Sequence, residues 1–127
     1  MVPLTLRVLY GDTDQMGVVY YANYLRYFEA GRGEFLRAHG NNYRQVERLG
    51  YRLPVVEAQV HYDRPAQYDD LLIIETVIAE ARVASVRFTY RVLRGREQIA
   101  TGETRHACLN LHGRPTRLPP ELAALAG

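Results

Sequence analysis

The sequence predicts an α+β domain in which an antiparallel sheet wraps around one long central helix. Three observations predict it. A sustained helical apolar period runs from Tyr21 to about His39. A short strand-like segment precedes it, and four more follow Pro54 in close succession. Those four are joined mainly by tight turns, which gives an antiparallel sheet wrapped around the helix.

Taken in order, residues 4–9, "LTLRVL", read as a strand, and residues 10–20 as a loop with Gly11, Asp12, Thr13, Asp14 and Gly17 as turn material. In the helix, Tyr21, Tyr24, Leu25, Phe28, Phe35 and Leu36 recur at helical spacings, with Arg26, Glu34 and Arg37 on other faces. Gly31 and Gly33 each cost the helix about 1 kcal/mol relative to alanine, which predicts a helix pressed tightly against the sheet. Gly40 stops it. Asn41 or Asn42 then caps a short helix through Tyr43, Val46 and Leu49. The four later strands are "VVEAQVHY", "LLIIETVIA", "SVRFTYRVL" and "QIATGETRHACLNL". In the third of these, Val86, Phe88, Tyr90 and Val92 alternate with Arg87, Thr89 and Arg91, so one face is buried and one is wet. Gly102 marks a bulge or a close backbone contact, and "PTRLPPELAAL" closes the chain with a helical turn.

The totals bound the function. A chain of 127 residues, 47% hydrophobic and 24% charged, reads as one soluble globular domain spanning residues 1–127. Its net charge of +2 gives no argument for a nucleic-acid partner. Cys108 is the single cysteine, which excludes an internal disulfide and points to a reducing compartment. No signal-peptide pattern opens the chain, and no run approaches the roughly 20 apolar residues of a membrane helix. The expectation is a cytoplasmic protein without a membrane span. Because one helix covers only part of a sheet with several apolar faces, a homodimer or homotetramer is expected.

Asp12 and Asp14 stand one residue apart just ahead of the helix. Three readings compete. The pair can be turn and capping carboxylates. It can be part of a metal site, although no histidine or third acid lies nearby in sequence. Or Asp14 can do chemistry: a carboxylate that delivers water, beside helix N-terminal N–H groups that polarise a carbonyl, suffices for acyl hydrolysis.

The stretch "DTDQMGVVYYANYLRYFE" resembles the signature of the 4-hydroxybenzoyl-CoA thioesterase family of hotdog-fold proteins. The resemblance extends to "VEAQVHYDRPAQYDDLL", similar to that family's second and third strands, and to "EARVASVRF", similar to its Arg-x-x-Ser hairpin. It covers roughly residues 4–118. It implies a hotdog fold and hydrolysis of an acyl-CoA thioester without cofactor or metal. It implies further that Asp14 is the catalytic aspartate, as general base or nucleophile, and that Gly17 lets the loop turn into the helix. Tyr21 would present a backbone N–H to the thioester carbonyl; some relatives carry histidine there, so that group's chemistry is absent from this chain. Arg82 and Ser85 would contact the nucleotide end of coenzyme A.

The remaining candidates carry less. His39, His61 and His106 read as structural or surface residues, and Cys108 as an inert buried thiol. Arg82, Arg87, Arg91, Arg94 and Arg96 read as a solvated basic face that could serve phosphates beside a coenzyme A site. Asp69 and Asp70 bound a turn. Two rivals to the thioesterase reading are a hotdog dehydratase, for which no histidine stands between Asp12 and Ala38, and a non-catalytic acyl-CoA sensor.

Overall fold

The computed structural model describes residues 2–40 and 43–126. β1 (Val2–Arg7) leads through a 3-10 turn (Tyr10–Asp12) to α1 (Asn23–Ala38) and α2 (Tyr43–Arg48). Then come β2 (Val55–Tyr62), β3 (Leu71–Ala81), β4 (Ser85–Arg94), β5 (Glu97–Ala107) and α3 (Pro120–Ala123). The strands form one antiparallel sheet in the order β1-β3-β4-β5-β2, and α1 packs against it. The α+β architecture inferred from the strand–helix–strand order therefore holds. Asn41 and Asn42, the candidate caps, lie outside the described residues.

Several boundaries shift, each for a local reason. β1 ends at Arg7 because the Val8 N–H turns to the Asp70 carbonyl (2.9 Å). α1 starts at Asn23 rather than Tyr21. The Tyr20 N–H is held by the Asp12 carbonyl (2.9 Å) and the Asn23 side-chain amide donates to that same carbonyl (2.8 Å), so residues 20–22 form a turn. β5 stops at Ala107 because the Cys108 N–H leaves the ladder for the Ala84 carbonyl (2.8 Å). At its C-terminus α1 ends as expected, with Gly40 in the left-handed region (φ 77°).

The buried face of α1 is Tyr24, Tyr27, Phe28, Gly31, Phe35 and Leu36. Tyr21 and Leu25, expected on this face, are 61% and 41% exposed; Tyr27 takes the inward place that was given to Leu25. Gly31 meets the sheet at close range, since a Cβ there would stand 2.6 Å from Thr76 Oγ1 and 2.9 Å from Ile74 Cγ2. Gly33 does not: only the Arg37 guanidinium lies within 4 Å of its would-be Cβ, at 3.8 Å. Gly102 of β5 is the expected close contact, because a Cβ would enter the Phe28 ring and the Gln59 carbonyl. In β4, Val86, Phe88, Tyr90 and Val92 are buried as the alternation requires.

A directed chain of hydrogen bonds threads this core. The Leu53 carbonyl can only accept, so His106 Nδ1 carries the proton (2.9 Å) and Nε2 accepts from Thr104 Oγ1 (2.8 Å). Thr104 in turn accepts from the Tyr90 hydroxyl (2.6 Å), which accepts from Arg32 (3.1 Å). Burial holds His106 neutral and pushes its pKa down to about 4. The arginines of β4 do not form a free basic face. Arg87 pairs with Glu103, Arg91 with Glu75, and Arg94 with Asp70 and Glu97. No helix among the described residues is long and apolar enough to cross a membrane.

Candidate active site

Asp12 and Asp14 do different work, and their bonding separates them. Asp12 is buried. Its Oδ2 accepts the Leu9 N–H (3.0 Å) and the Tyr27 hydroxyl (3.0 Å), and its Oδ1 faces Arg26 at 3.7 Å. Burial first, then the hydrogen bond to Asp12, raises the Tyr27 pKa, so the phenol stays a donor. Asp12 thus ties the loop to Tyr27 on α1's buried face and leaves its carboxylate no room for substrate. It is an internal anchor.

Asp14 is only partly buried. A bridge between Thr13 and Val19, with the Asp14 N–H on the Val18 carbonyl (2.9 Å), folds the loop back on itself. Gly17 makes the turn possible: its φ is 81°, and its N–H bonds the Asp14 carbonyl (2.9 Å). Asp14 Oδ1 accepts the Met16 N–H (2.9 Å), which fixes the carboxylate, while Oδ2 has no bond among the described residues. One oxygen is held and one is open. That is the state a base or nucleophile needs.

Three residues past Val18, the chain enters the turn before α1. The Tyr21 and Ala22 N–H groups donate to no acceptor among the described residues. Tyr20 and Tyr21 are both exposed, with ring centroids 4.5 Å apart. Beside them a recess of about 240 Å³ is lined by Tyr21, Tyr24, Tyr62, Asp63 and Pro65. A broader groove of about 800 Å³ crosses the outer face of the sheet, but its Glu75–Arg91 pair is engaged internally and no residue of the loop and turn at 10–22 lines it, whereas Val18, Val19 and Tyr21 line the recess. Among the described residues, no group of three His, Cys, Asp or Glu is placed to hold a metal.

Arg82 and Ser85 close the β3–β4 hairpin, with the Arg82 N–H on the Ser85 carbonyl (2.8 Å). The Arg82 guanidinium is exposed and bonds Glu80 (2.6 Å). β3 starts at Leu71, opposite Arg7 and next to the Asp12 loop, and ends at Ala81. At about 3.3 Å per residue that separates the hairpin from the loop by about 33 Å. Asp14, Gly17 and Tyr21 therefore lie toward the Leu71 end of β3, while Arg82 and Ser85 lie at its Ala81 end. Burial pushes the Cys108 thiol up, in keeping with an inert role. Tyr62, which no motif singled out, ends β2 with its hydroxyl on the Tyr21 carbonyl (2.9 Å). Only the β2 register brings these two residues together, and an isolated sequence does not give it.

A profile of the thioesterase-like superfamily matches residues 8–125. The acyl-CoA thioesterase YbgC of Haemophilus influenzae is 35% identical over 123 residues, 94% of this chain and 89% of that one. The 1,4-dihydroxy-2-naphthoyl-CoA hydrolase of Synechococcus elongatus is 32% identical over 116 residues, 90% of this chain and 85% of that one. A crystal structure of a hypothetical protein from Thermus thermophilus superposes with a TM-score of 0.92 at 36% identity, covering 97% of this chain and 95% of that one.

Proposed function

The chain belongs to the thioesterase-like superfamily, and from that premise we propose that it hydrolyses acyl-CoA, taking water and a thioester to a free acid and coenzyme A without a metal. It is a thioester hydrolase of hotdog fold. The observation that carries the finer reading is the asymmetry of Asp14: one carboxylate oxygen is held by the Met16 N–H and the other is open, just ahead of two unengaged amides. In this reading the Tyr21 N–H binds the thioester oxygen and stabilises the charge that develops there. Asp14 takes the proton from an attacking water, or attacks the carbonyl itself and forms an anhydride that water then cleaves. Either route expels coenzyme A as the thiol.

Arg82 and Ser85 enter this site from a second copy of the chain. β2 is an edge strand, and nearly every residue along it is exposed. Pairing two copies through β2, antiparallel about a two-fold axis, lays the Tyr62 end of one strand beside the Val55 end of the other. The Tyr62 end carries the Tyr21 turn. The Val55 end lies at His106, and Ser85 pairs with the neighbouring Ala107, so the hairpin belongs to that end. A homodimer so built sets the Arg82 hairpin of one copy at the Asp14 loop of the other, where the guanidinium can meet coenzyme A phosphate. Two dimers can assemble further into a tetramer. The single buried thiol supports a cytoplasmic setting.

Thiol release from acetyl-, butyryl-, decanoyl- and benzoyl-CoA tests the reading, with and without EDTA. Turnover that EDTA leaves unchanged is expected. Tight binding of acyl-CoA with no thiol released would make the protein a sensor instead.

A further inference from the structure

We propose that Tyr62 is a positioning residue for the thioester carbonyl, its hydroxyl holding the Tyr21 peptide so that the amides ahead of α1 keep their aim. The proposal rests on the reading that the amides ahead of α1 bind that carbonyl; to the Tyr21 N–H it adds the Ala22 N–H, which the held peptide carries, and a residue from the opposite side of the site.

The geometry is specific. Tyr62 pairs with Ala100 of β5, and the next two N–H groups, of Asp63 and Arg64, both fall on the Ile99 carbonyl (2.9 and 3.1 Å). Its ring meets the buried Tyr24 ring edge-on, centroids 5.3 Å apart at 73°. With backbone and ring both fixed, the hydroxyl donates to the Tyr21 carbonyl at 2.9 Å. That carbonyl's other donor is the Tyr24 N–H at 3.4 Å, a long bond that would hold it poorly.

The Tyr21 carbonyl and the Ala22 N–H share one rigid peptide plane, so holding the first aims the second. Accepting a hydrogen bond also polarises that peptide and strengthens its N–H as a donor. From the other side, the Asp12 carbonyl holds the Tyr20 N–H at 2.9 Å. The turn that offers the Tyr21 and Ala22 amides is thus clamped between the loop and the sheet. Donors already fixed in direction stabilise a developing oxyanion without reorganising. Tyr62 should therefore act on the chemical step more than on binding.

Tyr62→Phe keeps the ring on Tyr24 and removes one hydroxyl. The probe is whichever of acetyl-, butyryl-, decanoyl- and benzoyl-CoA gives the highest kcat/KM. We expect kcat to fall about tenfold with KM changed less than about twofold, and the melting temperature and sedimentation coefficient to stay at wild-type values. The second measurement is the isotope-edited infrared band of the ¹³C-labelled thioester carbonyl of the same probe, bound to Asp14→Asn. The band should lie below its frequency in water, and adding Tyr62→Phe should return it part of the way. An absent downshift in Asp14→Asn alone overturns the amide reading itself. An equal downshift in the single and double variants leaves that reading in place and overturns the role of Tyr62, even if kcat has fallen. Unchanged kcat in Tyr62→Phe overturns it as well.

Discussion

Gly31 of α1 lies so close to Thr76 of β3 that a Cβ on the glycine would stand 2.6 Å from the threonine hydroxyl. Ile74 closes the same gap from beside it. Thr76 is fully buried, and its Oγ1 has no hydrogen-bond partner among the described residues. The helix axis therefore approaches the sheet as near as a missing side chain allows.

Gly31→Ala should destabilise the fold. Overpacking a tight site costs about 1–3 kcal/mol, and the gain in helix propensity, about 1 kcal/mol, offsets only part of it. Gly33→Ala keeps the propensity gain with no clash, since only the far end of Arg37 is within 4 Å. It should leave stability unchanged or raise it by up to about 1 kcal/mol. Urea unfolding of the two variants checks the contrast, and equal shifts would contradict it.

The paired aspartates predict opposite phenotypes. Asp14→Asn keeps an oxygen for the Met16 N–H, so stability should hold. It cannot accept a proton or attack, so kcat should fall by about 10²–10⁴ while acyl-CoA still binds. Asp12→Asn should instead lose about 1–2 kcal/mol of stability, because charge-assisted bonds from Leu9 and Tyr27 become neutral ones. Its kcat per folded molecule should stay near wild type. Calorimetry with steady-state kinetics on both variants measures this. An inactive Asp12→Asn beside an active Asp14→Asn would reverse the assignment.

The order of elements along the chain and the close helix were legible because they rest on local signals: turn residues, a period-two alternation in β4, and Gly31 inside a helix. The placing of β2 beside β5 rather than β3 was not. Nor was the helix start. Tyr21 carries the apolar period forward, yet a carbonyl from Asp12 captures the Tyr20 N–H and delays α1 by two residues. Tyr27 rather than Leu25 faces inward, where its hydroxyl bonds the buried Asp12 carboxylate, a contact that the apolar period does not reveal. At the site, Asp14 and Gly17 announced themselves through turn chemistry, and the family resemblance pointed to Tyr21. Tyr62 and the Arg32–Tyr90–Thr104–His106 chain depend on strand register between distant segments, which composition and spacing do not carry.

The buried histidine makes stability depend on pH. Native His106 has a pKa lowered to about 4, against 6.5 when unfolded. Above pH 6.5 it is neutral in both states and its contribution is fully present. As pH falls from about 6.5 to about 4, the unfolded chain takes a proton that the native core refuses, and about 3 kcal/mol of stability is lost. Urea midpoints measured from pH 7.5 to 4.5 should fall across this window. His106→Gln should flatten that part of the curve whatever its stability at pH 7.5. An undiminished slope would show that other groups carry it.

The shared site can be tested by mixing two damaged chains. Arg82→Ala alone should raise KM with kcat little changed, because a phosphate contact remote from the carbonyl binds ground and transition state alike. Added salt should shrink the difference, since it already weakens the wild-type contact. Glu80, which bonds the Arg82 guanidinium at 2.6 Å, competes with the phosphate, so Glu80→Gln should lower KM. Asp14→Asn alone should bind well and turn over slowly. Where each site takes Asp14 from one copy and Arg82 from the other, a heterodimer of Asp14→Asn with Arg82→Ala holds one doubly damaged site and one intact one. Unfolding the two variants together and refolding them should then restore turnover at wild-type KM, in proportion to the heterodimer formed. Where each chain keeps both residues in its own site, every Asp14-containing site lacks Arg82, and only high-KM activity survives mixing. Titrating one variant against the other and following KM separates the two arrangements. Failure of the low-KM component to appear in a preparation shown by sedimentation to contain mixed dimers would exclude pairing of the Asp14 loop with a second copy's hairpin.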